Sequence, residues 1–282
     1  MRKLALFAAV VVAFPAPVVA AQQGDPPYLR DRGTGIPTSM FGTYVRRGQL
    51  LLYPFFEYYS DRNIEYKPAE LGYGLEQDFR GRYRATEGLL FLSYGLTDWL
   101  AFEIEAAVIS ARLDKSPDDS SAMPSRIEES GIGDVEGQLR VRWMKETAER
   151  PEVFSYFEAV SPSQPNKLLI GTPDCELKAG IGVIRGFRWG TVTVRAAVEY
   201  ALASASQFDI GEYAVEYFRR MSPAWRVYLG VEGTQDEVGL ITEVQWHCTR
   251  FMFLKLNNSL GLNSKATDWA PEVGLMFSFP AR

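Results

Sequence analysis

Residues 134–143, DVEGQLRVRW, carry an ionisable or amide side chain at every second position: Asp134, Glu136, Gln138, Arg140 and Arg142. Carboxylates and guanidinium groups at this spacing share one face of a β-strand, because successive side chains of a strand point to opposite faces. Such a face binds ions or pairs its charges with those of a neighbouring strand. The intervening apolar residues and Trp143 form the other face. The chemistry of the stretch therefore depends on which face points inward.

Catalytic chemistry has little support in the sequence. The chain has one histidine, His247, and no G-x-S-x-G, H-E-x-x-H or C-x-x-C pattern. The glycines of RGTGIP at 32–37 precede no helical pattern, so they do not predict a phosphate loop. We interpret His247 as a hydrogen-bonded structural residue and predict a protein that is not an enzyme and has no cofactor.

An acidic run, DKSPDDSS at 114–121, raises the question of a bound cation. Its ligand spacing fits no known calcium loop, so a solvated loop is the favoured interpretation and no metal site is predicted.

The N-terminus resembles a secretory signal over residues 1–20. Arg2 and Lys3 precede a short apolar run, and small residues follow near Ala20. A membrane anchor is disfavoured because the run is shorter than the ~20 residues of a spanning helix. Removing the signal changes the formal net charge from −5 to −7. This acidic balance argues against nucleic acid as a partner.

The rest of the chain predicts an all-β fold with about twelve alternating segments. They lie near 49–60, 82–94, 100–112, 133–144, 152–161, 175–185, 191–203, 208–220, 225–234, 238–248, 250–260 and 269–279. Short turns alternate with longer polar loops, as in outer-membrane barrels, where short turns lie in the periplasm. A soluble periplasmic sandwich is the alternative. We favour a transmembrane antiparallel up-and-down β-barrel over residues 49–279.

Tryptophan positions support this orientation. Five of the six lie at or beside predicted periplasmic turns: Trp99, Trp143, Trp189, Trp225 and Trp246. An interfacial aromatic girdle accounts for this distribution, because indole prefers the boundary between lipid and water.

In a barrel the polar faces line the lumen. The predicted lining has eleven acids, Glu57, Glu103, Glu105, Glu136, Glu158, Glu199, Glu212, Glu216, Glu232, Glu243 and Glu272, and six bases, Arg140, Arg142, Lys178, Arg195, Arg226 and Lys255. Glu103 and Glu105 are expected to reach Arg140 and Arg142 on the next strand. Two interpretations stay open: a structural ion-pair network that fills the barrel, and a water-filled path that weakly prefers cations.

Residues 21–48 lack a clear period and form a predicted irregular N-terminal periplasmic segment. Residues 22–48 carry a charge balance of +2, against −5 for the predicted lumen. A disordered tail is the default, and a plug that enters the acidic bore is the alternative.

The two cysteines of the predicted mature chain, Cys175 and Cys248, fall at opposite ends of the barrel. The ~30 Å of bilayer core between these ends far exceeds disulfide reach. We predict two free thiols.

Four stretches resemble the outer-membrane transporter family associated with the meta-pathway of phenol degradation: YPFFEY at 53–58, YGLTDWL at 94–100, SGIGDVEGQLRVRW at 130–143 and TDWAPEVGLMFSF at 267–279. The resemblance implies a Gram-negative outer-membrane barrel that moves small, aromatic or amphipathic solutes. Membrane lipid and lipopolysaccharide are the other expected partners. A closed structural or surface-interaction barrel is the alternative function. The sequence leaves the solute and the oligomeric state open.

Overall fold

The computed structural model describes residues 26–202 and 208–280. The predicted signal at 1–20 lies outside the described residues. A two-stranded hairpin, β1 (Ile36–Pro37) and β2 (Tyr44–Val45), precedes twelve longer strands. These are β3 (Leu50–Tyr66), β4 (Phe79–Gly95), β5 (Leu100–Asp114), β6 (Arg126–Met144), β7 (Glu152–Ser161), β8 (Glu176–Phe187), β9 (Gly190–Ala201), β10 (Phe208–Arg220), β11 (Trp225–Gly233), β12 (Val238–His247), β13 (Met252–Gly261) and β14 (Ala270–Phe279).

The twelve long strands form one closed antiparallel barrel, so the predicted fold is confirmed. Each strand pairs with its neighbour in sequence, and β14 closes the barrel on β3 through pairs such as Val273 with Phe56. Each of these twelve strands, as the structure describes them, has a hydrogen-bonded partner on both sides, so the barrel itself is closed. The described residues include no helix long and apolar enough to cross a membrane.

The connections differ at the two ends of the barrel. The turn end carries the connections 96–99, 145–151, 188–189, 221–224 and 248–251. The loop end carries the longer connections 67–78, 115–125, 162–175 and 262–269, together with the short 234–237. All five tryptophans of the predicted girdle lie at the turn end.

The barrel wall is taller on one side at the loop end. Strands β3, β4 and β6 have 17, 17 and 19 residues, against 9 for β11 and 10 for β12. The predicted strand ends at 60, 82 and 133 stop short of this extension. Sequence periodicity alone did not locate it, because the extended segments have polar residues on their outer face.

The apolar faces of the strands point outward. In β6 the Leu139 side chain is 43% exposed and Trp143 is 66% exposed, whereas Arg140 is 3% exposed. In β14 Leu275 is 39% exposed and Met276, on the opposite face, is fully buried. A sandwich would bury the first set against a second sheet, so the polar face is the one that points inward.

Candidate functional site

The lumen is divided between a filled region at the turn end and a cavity at the loop end. The N-terminal segment, residues 26–48, fills the first region. Ile36 and Val45 are buried there against Leu51, Phe91 and other inward side chains. Of the two alternatives for this segment, the structure therefore shows the one that enters the barrel.

A buried group of four charges fastens the N-terminal segment to the wall. The Arg32 guanidinium donates to Glu146 at 2.9 Å and to Glu152 at 3.0 Å. Arg142 lies 3.2 Å from the other Glu152 oxygen and donates to the backbone carbonyls of Thr34 and Gly35. Each buried charge has a partner of opposite sign, which offsets the cost of removing it from water.

A second contact lies deeper in the lumen. The backbone N–H and the hydroxyl of Ser39 donate to Glu103 at 2.9 and 2.7 Å, and Arg140 lies 3.4 Å from the same carboxylate. On the opposite wall the Phe41 ring stacks on Tyr228 with centroids 5.1 Å apart. The segment therefore spans the bore and contacts both sides of it.

The segment also passes very close to the backbone of the wall. A Cβ atom added at Gly186 would collide with the Tyr28 carbonyl, and one added at Gly95 would collide with that of Arg46. Gly95 is the last residue of β4 and Gly186 is the second-to-last residue of β8, so both lie beside short turns. Their small size admits the segment into the barrel.

Charge attraction explains the docking only in part. Of the four arginines in the segment, Arg32 alone is buried, while Arg30, Arg46 and Arg47 are exposed. The acids that hold Arg32 are Glu146 and Glu152, and neither is in the predicted lumen set.

Above the segment lies a cavity of about 610 Å³. Ser39, Met40 and Phe41 form its floor, and its walls reach the exposed loop residues Thr234 and Glu237. It therefore opens towards the loop end. A separate space of about 260 Å³ on the turn side, beside Arg142, shares no lining residue with it.

The cavity is strongly acidic. Its lining includes nine carboxylates, Glu57, Glu87, Glu105, Asp134, Glu136, Glu212, Glu232, Glu237 and Glu272, against the three bases Lys178, Arg195 and Lys255. Aromatic and aliphatic side chains line the space between them: Phe41, Phe55, Tyr59, Leu89, Ile109, Ile170 and Ile241.

Several of these carboxylates face each other directly. Glu57 is paired in register with Glu87 on one side and Glu272 on the other, and Glu105 is paired with Glu136. Like charges opposite each other across a sheet are destabilising. A cation in the cavity would relieve that repulsion.

The three bases of the cavity are already engaged. Arg195 donates to Glu216 at 2.7 Å and to Glu232 at 3.0 Å, and it also contacts Glu212. Lys178 lies 2.8 Å from Glu158, and Lys255 lies 2.9 Å from Glu243. Little positive charge is left to compensate the remaining acids.

All twelve residues predicted to set the lumen charge lie on the inner face: Glu57, Glu103, Glu105, Glu136, Arg140, Arg142, Lys178, Arg195, Glu199, Arg226, Glu243 and Lys255. The expected ladder of pairs is only half present. Glu103 pairs with Arg140, but Glu105 has Glu136 across from it and no arginine. The Glu105 part of the expectation failed because the register sets Glu136 opposite Glu105 and places Arg142 next to the start of β5, away from Glu105.

Sequence reasoning missed several lumen acids. Glu87 is followed by Gly-Leu-Leu-Phe-Leu, in which both strand faces are apolar. The sequence therefore did not show whether the Glu87 side chain points into the lumen or out of the barrel. Glu152 begins β7 and shares the alternation of Phe154 and Tyr156, which was a usable signal. Glu146 lies in a turn, where periodicity says nothing.

Two smaller predictions are confirmed. His247 lies 3.3 Å from Gln245 and stacks on Phe253, as expected of a structural histidine. Cys175 and Cys248 are free thiols at opposite ends of the barrel. Among the described residues, no group of three or more histidine, cysteine or acidic side chains is arranged to hold a metal ion.

No protein-family model and no curated protein matches the sequence. The fold resembles an outer-membrane channel from Pseudomonas putida F1, with a TM-score of 0.60 and 13% identity over 83% of this chain and 96% of that one. It also resembles the translocator domain of the autotransporter NalP from Neisseria meningitidis, with a TM-score of 0.51 and 9% identity over 82% and 88% of the two chains. At such low identities these similarities show a shared barrel fold and nothing further.

Proposed function

We propose that this protein is an outer-membrane β-barrel channel for small solutes, and that residues 26–48 restrict its bore. One observation carries the proposal. A cavity of about 610 Å³ that opens at the loop end lies inside a closed barrel with an apolar exterior.

The exterior supports a membrane location. Apolar side chains on the outer face are well exposed, among them Val108 at 64% and Ile181 at 58%. Trp99, Trp189 and Trp225 are also exposed and lie at the turn end, where an interfacial girdle would place them. A soluble protein rarely exposes so large an apolar surface.

The residues that line the cavity indicate which class of solute it would bind. Carboxylates in excess over bases favour cations, and the rings of Phe41, Phe55 and Tyr59 favour an apolar or aromatic body. Small amphipathic cations meet both conditions. This narrows the aromatic or amphipathic solutes that the sequence resemblance implied.

Planar-bilayer recordings test the proposal, with the full mature chain compared with a chain that lacks residues 22–45. We expect low, cation-selective conductance from the full chain and higher conductance from the shortened one. Heat-modified migration on a gel, together with the same recordings on Arg32→Met, controls for failure of the shortened barrel to fold.

The second candidate function is a closed structural or surface-interaction barrel. The filled turn end favours it, because the cavity and the turn-side space share no lining residue. Folded protein that conducts in neither the full nor the shortened form would establish this alternative and exclude a channel.

A further inference from the structure

The tall side of the barrel carries a group of arginines on its outer surface. Strand β4 exposes Arg80, Arg82 and Arg84, whose neighbours Phe79 and Ala85 point inward. Arg112 of β5 and Arg126 of β6 lie on the same outer surface, 37% and 47% exposed. We call these five residues the exterior arginine patch.

The patch follows a graded series of outward rows that cross β4, β5 and β6. The lowest row, Gly88, Val108 and Ile132, is apolar and strongly exposed. The next is a row of hydroxyls, Thr86, Ser110 and Ser130. Above it come Arg84, Arg112 and Glu128, and then Arg82, Asp114 and Arg126.

This order matches the profile of a membrane boundary. Arg84 is four residues beyond Gly88, which is roughly 10 Å along the membrane normal for a tilted strand. The headgroup region extends several ångströms beyond the hydrocarbon core, so arginine side chains at this height reach it. The patch therefore lies at the level of the headgroups if the apolar rows contact lipid.

The charges of the patch are not balanced by the protein. Arg80 donates to Glu65 at 3.0 Å, and Arg126 lies 2.7 Å from Asp114. Together with Glu128, these acids leave five arginines against three carboxylates. Within the described residues, neither Arg82 nor Arg84 has an ion-pair partner.

The pairing of β4 with β5 brings two arginines of the patch together, which favours a bound anion there. Arg84 lies directly opposite Arg112 across the β4–β5 ladder, and like charges in this position repel each other. Arg112 donates to Asp114 at 2.9 Å, whereas Arg84 has no ion-pair partner among the described residues. A guanidinium group binds phosphate through two parallel hydrogen bonds, so a phosphate beside β4 would supply the anion that Arg82 and Arg84 lack. Among the described residues at the loop end of β12 and β13, the exterior has no comparable group of arginines. Leu260 and Leu262 are exposed there, and Lys265 already pairs with Asp236 at 2.8 Å.

We propose that the exterior arginine patch binds the phosphate groups of a phosphorylated glycolipid in the outer leaflet of the membrane. The proposal rests on the membrane location given under the proposed function but not on conductance. The apolar rows below the patch would contact the acyl chains of the same molecule. That continuity favours a lipid over a free phosphate or an acidic peptide.

Titration of folded protein in detergent micelles with bis-phosphorylated lipid A and with its dephosphorylated form tests the proposal. The variant is Arg82→Gln combined with Arg84→Gln. The matched control, Lys145→Gln with Arg188→Gln, removes two exposed charges at the turn end. Native mass spectrometry gives the affinities, and heat-modified migration confirms folding.

We expect preferential binding of the phosphorylated form, weakened roughly 10- to 30-fold in the Arg82 and Arg84 variant and unchanged in the control. Equal weakening in both variants would mean general charge attraction and would overturn the site. Competition by inorganic phosphate at matched phosphate concentration would overturn the lipid assignment, as would equal binding of the two lipid forms.

Conductance in phosphatidylcholine bilayers, which contain no lipid A, separates this proposal from the channel proposal. Conduction with no preference for phosphorylated lipid would overturn the patch alone. Specific lipid binding by a barrel that does not conduct would support the patch and count against the channel.

Discussion

The two halves of the lumen arise from the same alternating sequence pattern but have opposite electrostatics. At the turn end, Glu103, Arg140 and Arg142 are each at most 6% exposed and are paired with ions of opposite sign. At the loop end, carboxylates outnumber bases, and Glu136 is exposed to the cavity.

The difference comes from register and from the N-terminal segment. In the turn half, Ser39 and Arg32 supply the donors that complete the polar contacts of the wall. In the loop half, Ile170 of the 162–175 connection packs on the wall through an apolar side chain, and the ladder places Glu105 against Glu136. A filled and an open interior therefore coexist in one barrel. The ion-pair network describes the turn half, and the water-filled path that prefers cations stays a prediction for the loop half.

The largest expected effect comes from removing the charge that fastens the segment. Arg32→Met keeps the side-chain length but leaves Glu146 and Glu152 without their shared cation, so docking should lose about 3–5 kcal/mol. We expect faster amide hydrogen exchange at residues 36–45, measured by mass spectrometry, with the barrel strands unchanged.

Arg47→Met is the matched control, because Arg47 is an exposed arginine of the same segment. It should leave the exchange of residues 36–45 as in the parent. Equal protection in Arg32→Met would show that the apolar contacts of Ile36 and Val45 hold the segment without the buried charges.

The fold was largely predictable, and the lumen contacts were only partly so. Strict alternation in segments such as QLRVRW is sufficient to place strands and to assign their faces, since burial has a period of two. The direction of Arg140 follows from that rule. The residue that Arg140 pairs with depends on the register between two strands. The sequence of one strand alone does not determine that register.

The N-terminal segment was harder for a different reason. Its charge balance suggested attraction to the lumen, but Arg32 is the one buried arginine of its four, and the acid Asp31 beside it is buried as well. Its docking also depends on hydrogen bonds of Ser39 to Glu103, on close approach at Gly95 and Gly186, and on stacking of Phe41 on Tyr228. Such long-range contacts have no local sequence pattern.

A smaller effect is expected in the open half. Glu105→Gln combined with Glu136→Gln removes one facing pair of carboxylates, so the preference for cations over anions should fall roughly two- to five-fold. The reversal potential across a salt gradient in planar bilayers measures this preference.

The matched control is Glu128→Gln with Glu149→Gln, which removes two exposed acids that line neither the cavity nor the turn-side space. The reversal potential should not change in this control. If the Glu105 and Glu136 variant also shows no change, the cavity carboxylates do not lie along the conduction path.

The smallest effect is expected at the rim of the open half, where hydrogen bonds of Asp119 fix the conformation of the 115–125 loop. Asp119 in the 115–125 loop accepts hydrogen bonds from the Ser121 N–H at 2.7 Å and from the Tyr66 hydroxyl at 2.9 Å. Although burial opposes them, these contacts hold the pKa of the Asp119 carboxyl below its ordinary value of 3.8. Because the folded pKa is lowered, ionised Asp119 stabilises the loop fully above that ordinary value, and the contribution is lost as the pH falls through the folded pKa.

Limited pepsin digestion between about pH 5 and pH 2 should therefore cut the loop increasingly as the acid form appears. Asp119→Asn, which has no charge to lose, should be cut at a rate that depends on pH only through pepsin itself. If the parent and this variant keep a constant ratio of cleavage rates, the Asp119 contacts do not order the rim. The loop would then owe its position to the apolar contacts of Met123 with Leu113 and Phe79.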